Sequence, residues 1–263
     1  MMTDMADAEN DGHRIYWDEK GSGTPVLLVM GASFSSRMWY PVIDDLAAEH
    51  RVLWYDNRGI GRSQEQRHGS IEDMAADAVA VLDAAGVDKA HVYGVSLGGV
   101  VALQVAQQSP ERVLSLVIGC SGILDDAKPR APRVTNLFAH LPRSVLRRLG
   151  GGPSGYGPAA KPDAIARDLA VLDEEQVTSA GLKQQQDALR AYSTSKAAVA
   201  ALGFPMLVLH GTADKTVPFA WGQELADTVP GARLVSYEGA GHNYLVSYGP
   251  ESNAEVLGFL ASV

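Results

Sequence analysis

The chain has 263 residues, 46% of them hydrophobic and 20% charged, a composition that excludes the disordered and fibrous classes. With 22 Lys and Arg against 31 Asp and Glu, its formal net charge is −9, which argues against a nucleic-acid partner, whose phosphates need a basic footprint. One cysteine, Cys120, excludes an internal disulfide framework and points to a reducing, cytoplasmic compartment.

The first dozen residues are acidic and polar, without the basic and apolar regions of a secretory signal, and are expected to fray. Residues 13–17 read as an edge strand. Residues 26–30 form a continuous apolar run bounded by Pro25 and Gly31, and residues 52–55 form another. Such runs suit strands buried on both faces of a parallel sheet. Ser70 with Asp73 three residues on approximates a capping box, and Ile71, Met74, Ala75, Ala78, Val79 and Leu82 follow at helical spacing up to Gly86. Residues 92–95, 114–118 and 206–209 are further apolar runs, residues 97–108 a helix, residues 234–237 an edge strand and residues 251–260 a closing helix. The stretch 90–110 carries no Asp, Glu, Lys or Arg, but its Gly, Ser, His and Gln fit a buried strand-turn-helix better than a membrane span.

This alternation predicts an α/β fold with an open, mostly parallel sheet. Between residues 124 and 203 no strand is predicted, only helical segments near 134–149, 163–172 and 180–191. The chain therefore divides into a first core part, 1–124, a helical cap insertion, 125–203, and a second core part, 204–263. Open α/β sheets place ligands at the carboxyl edge that such an insertion would cover.

The strongest chemical signal is Gly94-Val95-Ser96-Leu97-Gly98, a G-x-S-x-G set between an apolar strand and a helix. A sharp strand-to-helix turn lifts the hydroxyl above the sheet, small neighbours relieve crowding, and the helix N-terminus supplies free N–H groups. A serine nucleophile needs a base, and the base an orienting acid. His242 follows the 234–237 strand and Asp214 follows the 206–209 strand, in the order Ser, acid, His. Asp125, after the 114–118 strand, is the alternative acid.

On these motifs the sequence resembles the α/β-hydrolase superfamily over nearly its whole length. The resemblance implies an oxyanion loop at Met30-Gly31-Ala32-Ser33, with backbone N–H groups of Ala32 and Leu97 as donors. It also matches Asp56-Asn57-Arg58-Gly59-Ile60-Gly61-Arg62-Ser63 to the family's D-x-R-G-x-G-x-S loop, read as scaffold. Many members carry His-Gly where this chain has Met30-Gly31. The Met-Gly version resembles a subgroup that includes methyl esterases of aromatic polyketides. Haloalkane dehalogenases and the epoxide hydrolases of this fold use aspartate as nucleophile, so Ser96 points away from both.

The remaining histidines form no spaced ligand set, so no metal site is predicted, and no cofactor motif is present. His210 reads as structural and Cys120 as a small buried hydrophobe. Phe34, Met38, Trp39, Phe138, Leu141, Tyr156, Phe219 and Tyr244 are candidate pocket walls, with Phe34 and Tyr244 singled out for substrate binding. Residues 127–162 carry seven Lys and Arg and no Asp or Glu, a solvated helix face or a surface that attracts anionic substrates.

The function expected is cleavage of a carboxylic ester or lactone of a small to medium apolar molecule, with no nucleic acid or membrane insertion and with a homo-oligomer left open. The alternatives are carbon–carbon bond hydrolysis or perhydrolysis with the same three residues, or a non-catalytic ligand-binding protein on the same fold.

Overall fold

The computed structural model describes residues 6–63, 69–128, 155–174 and 178–263. Eight strands form one sheet: β1 (Ala6–Asn10), β2 (His13–Lys20), β3 (Pro25–Val29), β4 (Arg51–Tyr55), β5 (Ala90–Val95), β6 (Val113–Gly119), β7 (Met206–Gly211) and β8 (Arg233–Tyr237). Their spatial order is β1-β2-β4-β3-β5-β6-β7-β8. From β4 to β8 all neighbours are parallel, and β1 and β2 add an antiparallel edge. The fold is the predicted open, mostly parallel α/β sheet.

The helices described are α1 (Ile43–Ala47), α2 (Ile71–Ala84), α3 (Leu97–Gln108), α4 (Pro162–Asp173), α5 (Ser179–Ala191), α6 (Lys196–Ala200), α7 (Phe219–Thr228) and α8 (Tyr244–Leu260). They bury both faces of the sheet, which is why the strand sequences show no polar alternation. On β3, Leu27 and Val29 point into the layer made with α2 and α3, whereas Val26 and Leu28 point into the layer made with Leu46 of α1 and Val256 and Phe259 of α8. Ser70 caps α2 in a complete capping box with Asp73. The stretch 90–110 forms β5, a turn and α3, and among the described residues no helix is long and apolar enough to cross a membrane.

One expectation is overturned at the start of the chain. Residues 6–10 are not frayed but pair with β2 from Ala6↔Trp17 to Asn10↔His13, and Ala8 is buried. The turn explains it. Asp11 and Gly12 have φ of 51° and 75°, the two left-handed residues of a tight hairpin, which Asp-Gly adopts readily. The closing helix also begins earlier than predicted, at Tyr244. It is kinked at Tyr248 (φ −134°, ψ 33°), two residues before Pro250, which cannot supply a helical N–H. The predicted helix at 134–149 and most of the basic stretch lie outside the described residues.

A buried histidine lies at the end of β5 away from the site. His91 Nδ1 pairs with the Ser115 hydroxyl at 2.7 Å. Burial and the nearby His50 lower its pKa from 6.5 to about 4. Below pH 6.5 the unfolded chain takes up a proton there that the folded chain refuses. Stability therefore falls between about pH 6.5 and 4, by on the order of 1–3 kcal/mol. In His91→Asn, whose amide can keep the Ser115 bond, unfolding free energy measured across this window should fall less steeply. Equal slopes in the two proteins would remove His91 as the cause.

Candidate active site

Close packing at the β5–α3 turn dictates its small residues. A Cβ on Gly94 would stand 2.1 Å from the Gly98 carbonyl oxygen, and one on Gly98 would stand 1.9 Å from that of Val29. Ser96 sits between them at φ 54°, ψ −119°, a strained conformation for a residue with a side chain. Backbone bonds over-determine it. Its N–H donates to the Gly119 carbonyl at 2.8 Å, and its carbonyl accepts from the Gly99 N–H at 3.0 Å and the Ser121 hydroxyl at 2.8 Å. Leu97 follows as the first residue of α3, where N–H groups have no intrahelical acceptor.

His242 lies between β8 and α8, and Asp214 follows β7. His242 Nδ1 is 2.7 Å from Asp214 Oδ2, and its Nε2 is 3.0 Å from Ser96 Oγ. A carboxylate can only accept, so Nδ1 carries the proton and Nε2 accepts from the serine hydroxyl. The other Asp214 oxygen, Oδ1, accepts from the N–H groups of Thr216 at 2.7 Å and Val217 at 3.0 Å. The structure thus brings Ser96, His242 and Asp214 together. Asp125 is elsewhere, and its Oδ1 accepts from the Ala127 N–H in a local turn.

Electrostatics bias the pair. Burial works against the Asp214 charge, but hydrogen bonds from His210, His242 and the Val217 N–H hold its carboxyl below the usual range. Burial likewise opposes a charge on His242, and the Cys120 sulfur and the Asp214 carboxylate beside it raise its proton affinity above that of ordinary imidazole. Cys120 is buried as expected, but it also lines the cavity and lies beside His242, which its residue type alone did not indicate. His210 is more than a core residue as well. Its Nε2 lies 3.3 Å from Asp214 Oδ2 and 3.0 Å from the Val217 carbonyl, two acceptors that fix the proton on Nε2.

The loop after β3 faces the serine. Its Met30, Gly31 and Ala32 line the cavity with Ser96, and Phe34 stands 36% exposed at its wall. Two side chains hold this loop. Asn57 Nδ2 donates to the Met30 carbonyl at 2.8 Å, and Gln185 of α5 accepts from the Ser33 N–H at 2.8 Å, with Ser33 at φ 72°. The 56–63 segment is scaffold, as read from sequence. Asp56 accepts from Ser36 and Arg62, and buried Arg58 pairs with buried Asp77 at 2.6 Å.

The cavity measures about 360 Å³ and is walled mainly by apolar side chains, among them Met38, Val95, Leu172 and Leu245. Tyr244 contributes to it as the buried first residue of α8, its hydroxyl 2.7 Å from that of Tyr93. Tyr156 lines it too, whereas Trp39 is packed in the core, and Phe138 and Leu141 lie outside the described residues. Sequence reasoning missed Asp168, Asn243 and Gln185. Only Asp168 carried a signal, as a charge between the half-buried Ile165 and Leu172 at helical spacing on the inward side of α4.

This fold and site define a class. The family model described as alpha/beta hydrolase fold matches residues 24–247, and the chain belongs to that family. It is 32% identical over 261 residues to a protein of Azorhizobium caulinodans named "Putative carbamate hydrolase RutD", covering 95% of this chain and 96% of that one. It is 30% identical over 251 residues to rhodomycin D methylesterase DauP of Streptomyces sp. strain C5, covering 83% and 84% of the two chains. Among solved structures, a hydrolase from Pseudomonas aeruginosa PA01 superposes with a TM-score of 0.86 at 26% identity, covering 99% of both chains.

Proposed function

We propose that this protein is a serine hydrolase that cleaves a carboxylic ester or lactone of a small to medium apolar molecule through an acyl-enzyme. The observation that carries this reading is the unbroken path from Asp214 through His242 to Ser96, at 2.7 and 3.0 Å, opening on an apolar cavity. In this reading Ser96 Oγ attacks the carbonyl carbon while His242 Nε2 takes its proton. The backbone N–H groups of Ala32 and Leu97 hold the developing oxyanion. Collapse expels the alkoxide, which His242 protonates. Water then attacks the acyl-enzyme with His242 as base, releasing the acid and the free serine. Asp214 holds the imidazole in the tautomer that both half-reactions use.

A cavity of about 360 Å³ suits a small to medium substrate. In this reading Phe34 and Tyr244 serve as its walls, and the insertion between the two core parts acts as a cap, with Asp168 and Leu172 of α4 lining the cavity. The single buried cysteine fits work in a reducing cytoplasm. The Streptomyces relative's name speaks of a methyl ester and the Azorhizobium relative's of a carbamate, in which nitrogen or oxygen leaves after the same attack on a carbonyl.

The test has two parts. Intact mass after exposure to an activated phosphonate ester should show one adduct on the wild type and none on Ser96→Ala. Matched esters, a lactone, a carbamate and a dicarbonyl should then be compared by kcat/KM, with the ester or lactone fastest. No adduct on the folded wild type would favour a ligand-binding protein, and selective cleavage of the dicarbonyl would move the reading to carbon–carbon bond hydrolysis.

A further inference from the structure

Helix α4 buries one residue completely, and that residue is an aspartate. Asp168 is 1% exposed, yet it lines the same cavity as Ser96 and His242. Its Oδ1 accepts from the Tyr40 hydroxyl at 3.1 Å, and its Oδ2 accepts from the Tyr156 hydroxyl at 2.9 Å and from Asn243 Nδ2 at 3.0 Å. All three donors are neutral. No cation among the described residues contacts this carboxylate, in contrast to Asp77 and Asp56, which pair with Arg58 and Arg62. Burying an unpaired charge is costly, and burial outweighs the three neutral hydrogen bonds, so the carboxyl is held above the ordinary aspartate range and a cation beside it would be the missing partner. A carboxylate has about four acceptor positions, so one remains after these three bonds. Among the described residues lining the cavity, Asp168 and His242 are the only ones of the charged residue types, and no Lys or Arg is among them.

We propose that Asp168 is a specificity residue that receives a protonated amine on the substrate and disfavours substrates carrying a carboxylate at the same place. The proposal rests on the ester-hydrolase reading above and names the substrate class for that site. Because the carboxylate is buried beside a largely apolar wall, its field inside the cavity is screened less than a surface charge would be. It acts on the substrate in both ground and transition states.

The experiment compares three phenyl esters with acyl chains of matched length, ending in an ammonium, a methyl or a carboxylate group. The readout is the ratio of kcat/KM for each charged ester to that of the neutral one. This ratio cancels any general loss of activity from a disturbed loop. For the wild type the ammonium ester should exceed the neutral ester, and the carboxylate ester should fall below it, with on the order of 10- to 100-fold between the two charged esters. In Asp168→Asn both ratios should approach one. Tyr40→Phe removes a donor but keeps the charge, so it should retain the wild-type ranking; if Asp168→Asn does not fold, Asp168→Ser, which also removes the charge, should bring both ratios toward one. Equal ratios in the wild type, or a ranking that survives in Asp168→Asn, would overturn the proposal. Failure of the neutral ester itself, with no phosphonate adduct on Ser96, would instead overturn the ester-hydrolase reading beneath it.

Discussion

Replacing Ser96 with alanine should reduce turnover on the best ester by about 10⁴- to 10⁶-fold and leave the fold intact. The chemical loss follows from geometry. Ser96 Oγ is the oxygen 3.0 Å from His242 Nε2, and alanine leaves the base with no proton to take. The structural tolerance follows from the backbone. The bonds that hold position 96 in its φ 54° conformation run through its own N–H and carbonyl, to Gly119, Gly99 and Ser121, and alanine keeps all of them. Its Cβ meets the same crowding that serine's does. Ser96→Gly separates strain from chemistry further. Glycine adopts this backbone conformation without penalty, so it should raise the thermal midpoint by roughly the equivalent of 1 kcal/mol, the strain relieved less the entropy of a more flexible unfolded chain. Turnover should be as low as in the alanine variant. Ester hydrolysis in Ser96→Ala within tenfold of wild type would refute the nucleophile assignment.

The fold was legible because burial on both faces of a parallel sheet leaves unbroken apolar runs. Residues 26–30, 52–55, 92–95, 114–118 and 206–209 each mark a strand within a few residues of its ends. What escaped was held by other means. Strand β1 has the polar sequence ADAEN and sits at the sheet edge, where one face and one row of backbone groups meet water, so its signal was the Asp11-Gly12 turn rather than hydrophobicity. Helices α1 and α6, of five residues each, are too short to show a period, and α7 carries Gly222, whose Cβ would stand 2.4 Å from His210 Nδ1. There tertiary packing overrides helix propensity.

The core of the site was legible for a different reason. Ser96, Asp214 and His242 each follow a strand that the sequence marks, and parallel strands deliver their carboxyl ends to one edge. Their convergence is a property of the sheet. The residues around them obey no such rule. Gln185 reaches Ser33 across 152 positions and Asp168 reaches Asn243 across 75, through helices whose placement no local spacing encodes. His210 was visible but underread, because proximity to Asp214 in sequence does not reveal that both of its Nε2 neighbours are acceptors.

Asp214, the acid of the proposed mechanism, should answer to substitution almost as strongly as Ser96, and with a distinct pH signature. In Asp214→Asn, the oxygen that accepts from the Thr216 and Val217 N–H groups must stay an oxygen, since an amide NH₂ there would face two donors. The NH₂ group is therefore driven to the side of His242 Nδ1 and His210 Nε2. There it donates to Nδ1, the imidazole proton moves to Nε2, and Nε2 can no longer take the Ser96 proton. The expected fall in kcat is on the order of 10³- to 10⁴-fold. In the wild type, burial opposes the imidazolium but the neighbouring sulfur and carboxylate outweigh it, so the His242 pKa lies above 6.5. In the proposed mechanism activity depends on the neutral imidazole, so kcat/KM should rise with pH through an inflection above 6.5. Without the carboxylate that inflection should move to lower pH while the plateau falls. A plateau loss with an unmoved inflection would limit Asp214 to fixing the tautomer. Near wild-type turnover would remove it from the mechanism and return the role to Asp125, which the fold places in a local turn with its carboxylate on the Ala127 N–H.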